Sequence, residues 1–273
     1  MTTALVLTGL PRDFEAASRS IKRNILERYE IEPEHIFISI WRNRGYWYPG
    51  DASVSRSFLE AEVVDSEMVR AIYGGAQIEI EDFSEFNDLF QRRLDPFPEV
   101  FLPSIGHSNY LVRGVNLISM FYKIARGLEM ALASSEITRI IRTRPDIALQ
   151  RSGPKTYGHK MVVVKQSNHL GTGIGDNFHA GPREFHLPFL ETLKNLEYYF
   201  QRTRGILCPH LITQAVFEAN KIHYVQKRIK FETLHTPGGM YKAQNSKGDW
   251  VDLRKADYSR TQKRFSGKVL DSD

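Results

Sequence analysis

Cysteine is nearly absent: Cys208 is the only one in 273 residues. An intrachain disulfide is therefore impossible, and a Cys-rich metal centre is excluded. A single thiol suits a reducing compartment without requiring one. Long apolar runs are missing too. No window approaches the roughly 18 consecutive apolar residues of a membrane span. The chain has no internal repeat, no low-complexity segment and no block of like charge, and its net charge of +5 is spread along its length. That moderate excess suits an anionic small molecule or a membrane surface as well as nucleic acid. The dense basic and aromatic stripe of an RNA binder is lacking, so no nucleic-acid partner is expected. The first residues, Met1 to Arg12, are apolar but short, carry no basic leader and are broken by Pro11-Arg12, so they read as a first strand, not a signal peptide.

What is present is ordinary for a folded domain: 41% hydrophobic and 25% charged residues. The length suits one large α/β domain or two small ones. Compact apolar runs at Ala4–Thr8, His35–Trp41, Gln77–Ile80, Ile137–Ile141, Met161–Val164 and Ile222–Val225 read as strands. Helical patterns occupy about Phe14–Tyr29, Asp65–Gly74, Ser84–Leu94 (with Ser84 as cap), Tyr110–Ser134 and Glu184–Tyr199, and another helix opens at Cys208-Pro209. The clearest is Tyr110–Ser134, where Leu117, Phe121, Ile124, Leu128 and Leu132 form one apolar stripe and Lys123 and Arg126 need not belong to it. Strands alternating with helices through the first two-thirds predict an α/β fold with a mostly parallel sheet. Asp95–Pro103, with three prolines, is expected to be irregular, and the polar stretch from about Pro237 to be at most partly ordered, pinned by Trp250 and Tyr258.

The stretch most in need of explanation is Ile137–Asp146. An apolar strand runs into Arg142, Arg144 and Asp146, spaced two apart and stopped by Pro145. In extended backbone these three side chains share a face. Buried charge must be paired or must serve a ligand, so the group is either a structural ion-pair cluster or a site. Gly9–Asp13 is a strand-to-helix turn that presents backbone N–H groups, with Arg12 adding a fork of donors. It has no Lys and Ser/Thr at P-loop spacing, and any strand-to-helix turn has this general form. Trp41 opens an aromatic and basic loop, Arg42–Asp51, suited either to stacking on a base or sugar ring or to capping the sheet. The glycine-rich Gly171–Gly175 does not link a strand to a helix, which rules out a dinucleotide fingerprint, but its exit places Asp176 where backbone can approach a ligand.

Five stretches, taken in order, resemble one family: Leu5–Arg12, Ile36–Trp41, Ser119–Ile124, Ile140–Ile147 and Gly175–Gly181. Spanning roughly residues 4 to 225, they are similar to bacterial and viral surface-polysaccharide glycosyltransferases of the WavE lipopolysaccharide-synthesis type. The chain departs from that pattern in having Asn177 where Gln is frequent and His210 where a Glu after proline is frequent. The resemblance implies a GT-A-like fold, with residues 1–235 as a nucleotide-sugar transferase domain and 236–273 as a polar extension. It implies a nucleotide-sugar donor, a glycan or lipid-linked acceptor, and a cytoplasmic location with peripheral contact at the inner membrane face. Gly9, Arg12, Trp41, Arg142, Arg144 and Asn177 are then the expected donor-binding residues. Asp146 matches the metal- or sugar-contacting aspartate of an Asp-X-Asp motif, so Mn2+ or Mg2+ is an expected cofactor; Arg144 stands at the first carboxylate of that motif, and Arg142 and Arg144 are the alternative to a metal. Asp176 is the expected base for the acceptor hydroxyl. A sulfo- or phosphoryl-transferase and a non-catalytic glycan-binding domain remain as other classes.

Overall fold

The computed structural model describes residues 2–44, 63–97, 114–149, 158–164, 173–227, 231–233, 242–244 and 250–252. Its centre is β1 (Thr2–Gly9), whose run Ala4 to Leu7 is buried on both faces, as a central parallel strand must be. Parallel to it lie β2 (Ile36–Trp41) on one side and β4 (Ile137–Thr143) on the other, with β3 (Gln77–Glu81) outside β2. A short β5 (Ile147–Leu149) leaves the sheet and pairs antiparallel with β9 (Phe231–Thr233). Beyond β4 come β7 (Phe178–Pro182), β6 (Met161–Val164) and β8 (Tyr224–Lys227). The order is β3-β2-β1-β4-β7-β6-β8, and β7 alone runs against the rest of that sheet. A separate ribbon joins β10 (Lys242–Gln244) to β11 (Trp250–Asp252). The α/β class and the mostly parallel sheet flanked by helices are therefore as expected.

Each sheet face has its own core. On one, α1 (Phe14–Ile21) packs against Leu5, Leu7, Ile38 and Ile40 through Phe14, Ala17 and Ile21. It continues as a π turn (Lys22–Leu26) and α2 (Glu27–Tyr29). Near the β3 edge, α3 (Ser66–Tyr73) starts from an Asp65 cap that accepts the Met68 N–H at 2.8 Å. On the opposite face, α4 (Asn87–Arg92) and the long α5 (Gly114–Ala133) cover Ala4 and Val6 with Phe90, Phe121, Ile124 and Leu128. Gly127 makes the close approach: a Cβ there would meet Thr8 Cγ2 at 2.6 Å and Val6 Cγ1 at 2.9 Å. The layer is completed by α6 (Leu196–Arg202) and α7 (Pro209–Ala219).

Several local expectations are corrected. Asp82, not Ser84, is the capping residue: it accepts the Ser84 N–H at 3.0 Å and starts a 3-10 turn before α4. Glu184–Tyr199 is not one α-helix but a 3-10 segment, Arg183–Glu191, followed by α6. Pro188, without an N–H, denies that segment an α ladder. Lys123 is fully buried within α5, held by Glu81 at 2.5 Å. The strand at Ile222–Val225 sits two residues later, at β8. The strand β7 was unread, because it follows the polar Asp176-Asn177 and ends on Gly181-Pro182, as a loop would. The Gly45–Asp51 part of the aromatic loop, Pro98–Pro103, Tyr110–Arg113, Gly171-Thr172 and Tyr258 lie outside the described residues.

Candidate active site

From β1 the chain proceeds outward to β2 and β3, then returns to place β4 on the other side of β1. A crevice outside the carboxyl ends of strands forms at such a reversal. Three segments meet there. The Gly9–Asp13 turn leaves β1, and Arg142 to Asp146 end β4. The third, Gly173–Asn177, arrives because β7 is reversed: Phe178 at its start pairs with Thr143 at the end of β4.

Buried side chains fix the third segment through three consecutive carbonyls. The His179 ring nitrogen Nε2 lies 2.9 Å from Gly175 O, Arg142 Nη1 donates to Asp176 O, and Thr143 Oγ1 donates to Asn177 O at 2.8 Å. Arg142 is 1% exposed and also donates from Nε to Thr8 Oγ1 at 2.8 Å, so it ties β1 to this segment. Its Nη2 is buried and has no hydrogen-bond partner among the described residues.

Arg144 grips Asp146 with a fork, Nε to Oδ1 at 2.9 Å and Nη2 to Oδ2 at 2.6 Å, while its Nη1 reaches Asn177 Oδ1 at 3.4 Å. Arg12 Nε stands 3.8 Å from the same Oδ2. The Asp146 side chain is wholly buried, whereas Arg12 and Arg144 are partly exposed above it. Asp13, beside Arg12, is also buried. Burial, partly offset by Asp146, brings Arg12 down to about 10; burial, partly offset by Asp176, does the same for Arg142. For Arg144 burial also opposes the charge, but the Asp146 carboxylate outweighs it and the pKa rises. Burial would raise the Asp176 carboxyl, yet His210, Arg144 and Arg142 together hold it below its ordinary value.

Seven of the eight residues read from the sequence thus gather at the carboxyl ends of the interior strands β1 and β4: Gly9, Arg12, Arg142, Arg144, Asp146, Asp176 and Asn177. Gly9 has φ of 116°, and an added Cβ would meet nothing within 4 Å, so its backbone borders open space. Trp41 is the exception. It is 1% exposed, stacked on Tyr122 at 5.8 Å, edge-on to Phe83 at 5.3 Å, and covered by Lys123 Nζ 4.3 Å from the ring centre. Its ring belongs to the core and offers no face to a ligand. Around it Lys123, Glu81, Glu79 and Arg126 form a second ionic cluster that braces α5 against β3. The sequence reading missed His210 at the start of α7, whose Nδ1 is 3.4 Å from Asp176 Oδ1. Its only signal was a histidine where a carboxylate was expected.

A divalent cation does not fit these residues. Both Asp146 oxygens already accept N–H groups from Arg144, and Arg12 lies beside them. A hard cation prefers several oxygen ligands and is repelled by adjacent guanidiniums. Among the described residues no three His, Cys, Asp or Glu side chains converge as a metal centre. No described helix is long and apolar enough to cross a membrane.

The fold and its switch-point site define an α/β domain with an arginine cluster at the carboxyl ends of β1 and β4. No family model matches the chain, and no curated protein matches it. Among solved structures the chain is similar to mouse xyloside xylosyltransferase 1 in its apo form, with 11% sequence identity and a TM-score of 0.40 over 83% of this chain and 84% of that one.

Proposed function

We propose that this chain is a glycosyltransferase that moves a sugar from a nucleotide-sugar donor to a glycan or glycolipid acceptor, in surface-polysaccharide synthesis of the WavE type. The observation that carries this reading is the gathering of Arg12, Arg142 and Arg144 at the switch point, next to the open backbone of Gly9. A departing nucleoside diphosphate develops negative charge, and preorganised guanidiniums are suited to receive it. Asp146 sets the Arg144 fork at a fixed angle and serves the donor through that arginine, so the reaction proceeds without a divalent ion. The Arg142 Nη2 donor and the Asn177 amide complete the donor-facing edge. Residues 1–235 form the transferase domain and 236–273 an extension; the protein works in the cytoplasm, touching the inner membrane face where lipid-linked acceptors reside.

The test is a thermal-shift panel of UDP-, GDP-, dTDP- and CMP-sugars, each with manganese and with EDTA. A ligand at a hundredfold excess over its Kd stabilises the folded state by about 2.7 kcal/mol. That corresponds to a rise of several degrees for a domain of this size. One nucleotide class is expected to give the rise under both conditions. A rise that disappears in EDTA would refute the metal-free reading. No rise with any donor would refute the transferase, and binding on a glycan array would then identify a glycan-binding module.

A further inference from the structure

Asp176 was the expected base, but the structure puts it below the surface and sets an imidazole over it. The Asp176 side chain is 8% exposed and that of His210 is 20% exposed. The pair is built in from both sides. Pro209 occupies the first position of α7, which fixes where His210 begins the helix. Gly173, with φ of 101°, lies so close that a Cβ on it would meet His210 Cβ at 2.8 Å and the His210 carbonyl carbon at 3.1 Å. The Ile174 N–H donates to His210 O at 3.1 Å. The loop that carries Asp176 therefore also clamps His210, while Arg142 holds the Asp176 carbonyl from below.

We propose that His210 is the general base of the transfer and that Asp176 is its positioning residue; this rests on the glycosyltransferase reading above. The Asp176 carboxylate lies 3.4 Å from Nδ1 as an ion-pair contact without hydrogen-bond alignment; its charge favours the tautomer with the proton on Nδ1, in which Nε2 carries the lone pair. Catalytic contacts that are long or poorly aligned in a ligand-free protein tighten into hydrogen bonds when substrate binds. Asp176 itself is a poor base, because its charged form is favoured by His210, Arg144 and Arg142. The Asp176 carboxylate that faces the imidazole is itself flanked by Arg144 and Arg142, and Cys208 stands at the cap position just before α7.

The step balances. The acceptor hydroxyl gives its proton to His210 Nε2, and its oxygen electron pair forms the bond to the anomeric carbon. The bond from that carbon to the diphosphate oxygen breaks, and the electron pair leaves with the nucleoside diphosphate. Asp176 stabilises the imidazolium. A single displacement of this kind inverts the anomeric centre.

The experiment uses the full chain and whichever sugar nucleotide of the UDP, GDP, dTDP and CMP panel raises its melting temperature. Nucleoside diphosphate or monophosphate release, to water and to a glycan acceptor panel, is followed from pH 5 to 9 for the wild type, His210→Gln, His210→Ala and Asp176→Asn. General-base removal is expected to lower turnover by about 10²–10⁴-fold. Both His210 variants should show that loss while keeping the donor-induced thermal shift. The acidic limb of the wild-type rate profile should vanish in His210→Gln, and added imidazole should recover part of the His210→Ala rate. Full activity in either His210 variant, an unchanged acidic limb, or a product of retained configuration overturns the assignment. If both variants lose the donor shift, the wild-type product configuration and acidic limb decide it. Failure of every donor to shift the wild type instead removes the transferase reading, and the base with it.

Discussion

At Asp146 a carboxylate with no solvent contact depends on Arg144, with Arg12 close by. Removing one partner of a buried pair leaves an uncompensated charge, at about 3–5 kcal/mol. Arg144→Ala should fall at the lower end, roughly 3 kcal/mol, because Arg12 remains; denaturant midpoints read this directly. Replacing both partners, as in Arg144→Met with Asp146→Leu, should cost less than Arg144→Ala alone, and a larger cost would contradict the pairing argument. The buried imidazoles make a second prediction. Burial lowers His179 to about 3 and His186 to about 4, from an ordinary 6.5. Between 6.5 and those values the unfolded chain binds protons that the folded chain refuses, so stability falls with pH across that window. The slope is at most roughly 1.4 kcal/mol per pH unit for each histidine. Asp176, with its depressed value, adds a loss only below the ordinary carboxylate range. Urea midpoints at pH 7, 6 and 5 should decline, and His186→Phe should flatten the decline; a constant midpoint would contradict it.

Two glycines decide how elements meet. Gly127 lets α5 lie on β1, and Gly173 lets the loop lie on α7. An alanine at position 127 would gain about 1 kcal/mol of helix propensity. It would also press on Thr8 and Val6, and overpacking of a core costs about 1–3 kcal/mol. Gly127→Ala is therefore expected to lower the melting temperature, and a rise would show that α5 can lift away freely. Gly173→Ala meets both a forbidden φ and His210, so donor turnover should drop more than the melting temperature does. The same elements show where sequence patterns suffice. The stripe of α5 and the runs of β1, β2 and β4 were readable because their burial is written as hydrophobic period. Strand β7 was not, since His179-Ala180-Gly181-Pro182 owes its extended form to pairing with β4, a tertiary cause. Lys123 was set apart from the apolar stripe, and nothing local signals its burial; its partners on β3, far off in sequence, make that burial tolerable.

For the whole molecule, the site was legible to the extent that strand ends collect in an alternating α/β chain, so Gly9, Arg12, Arg142, Arg144 and Asp146 could be grouped in advance. Trp41 could not be sorted, because a ring at a strand end serves a core and a ligand equally well in sequence, and the aromatic cluster of Phe83, Phe86, Phe90 and Tyr122 that claims it is assembled from three separate elements. The proposed boundary makes a further prediction: a chain ending at residue 235 keeps β9 beside β5 and should retain a single cooperative melt and the donor-induced shift. Loss of either would show that the last residues belong to the domain. Finally, β1 is the middle strand of the sheet, yet its partner β4 is made only after most of the first half of the chain. At roughly 5–20 residues per second, translation leaves one side of β1 unsatisfied for on the order of ten seconds. During that interval the nascent polypeptide displays a bare apolar ribbon to the ribosome's surroundings, so chaperone supply and synthesis speed should govern how much protein reaches the folded form.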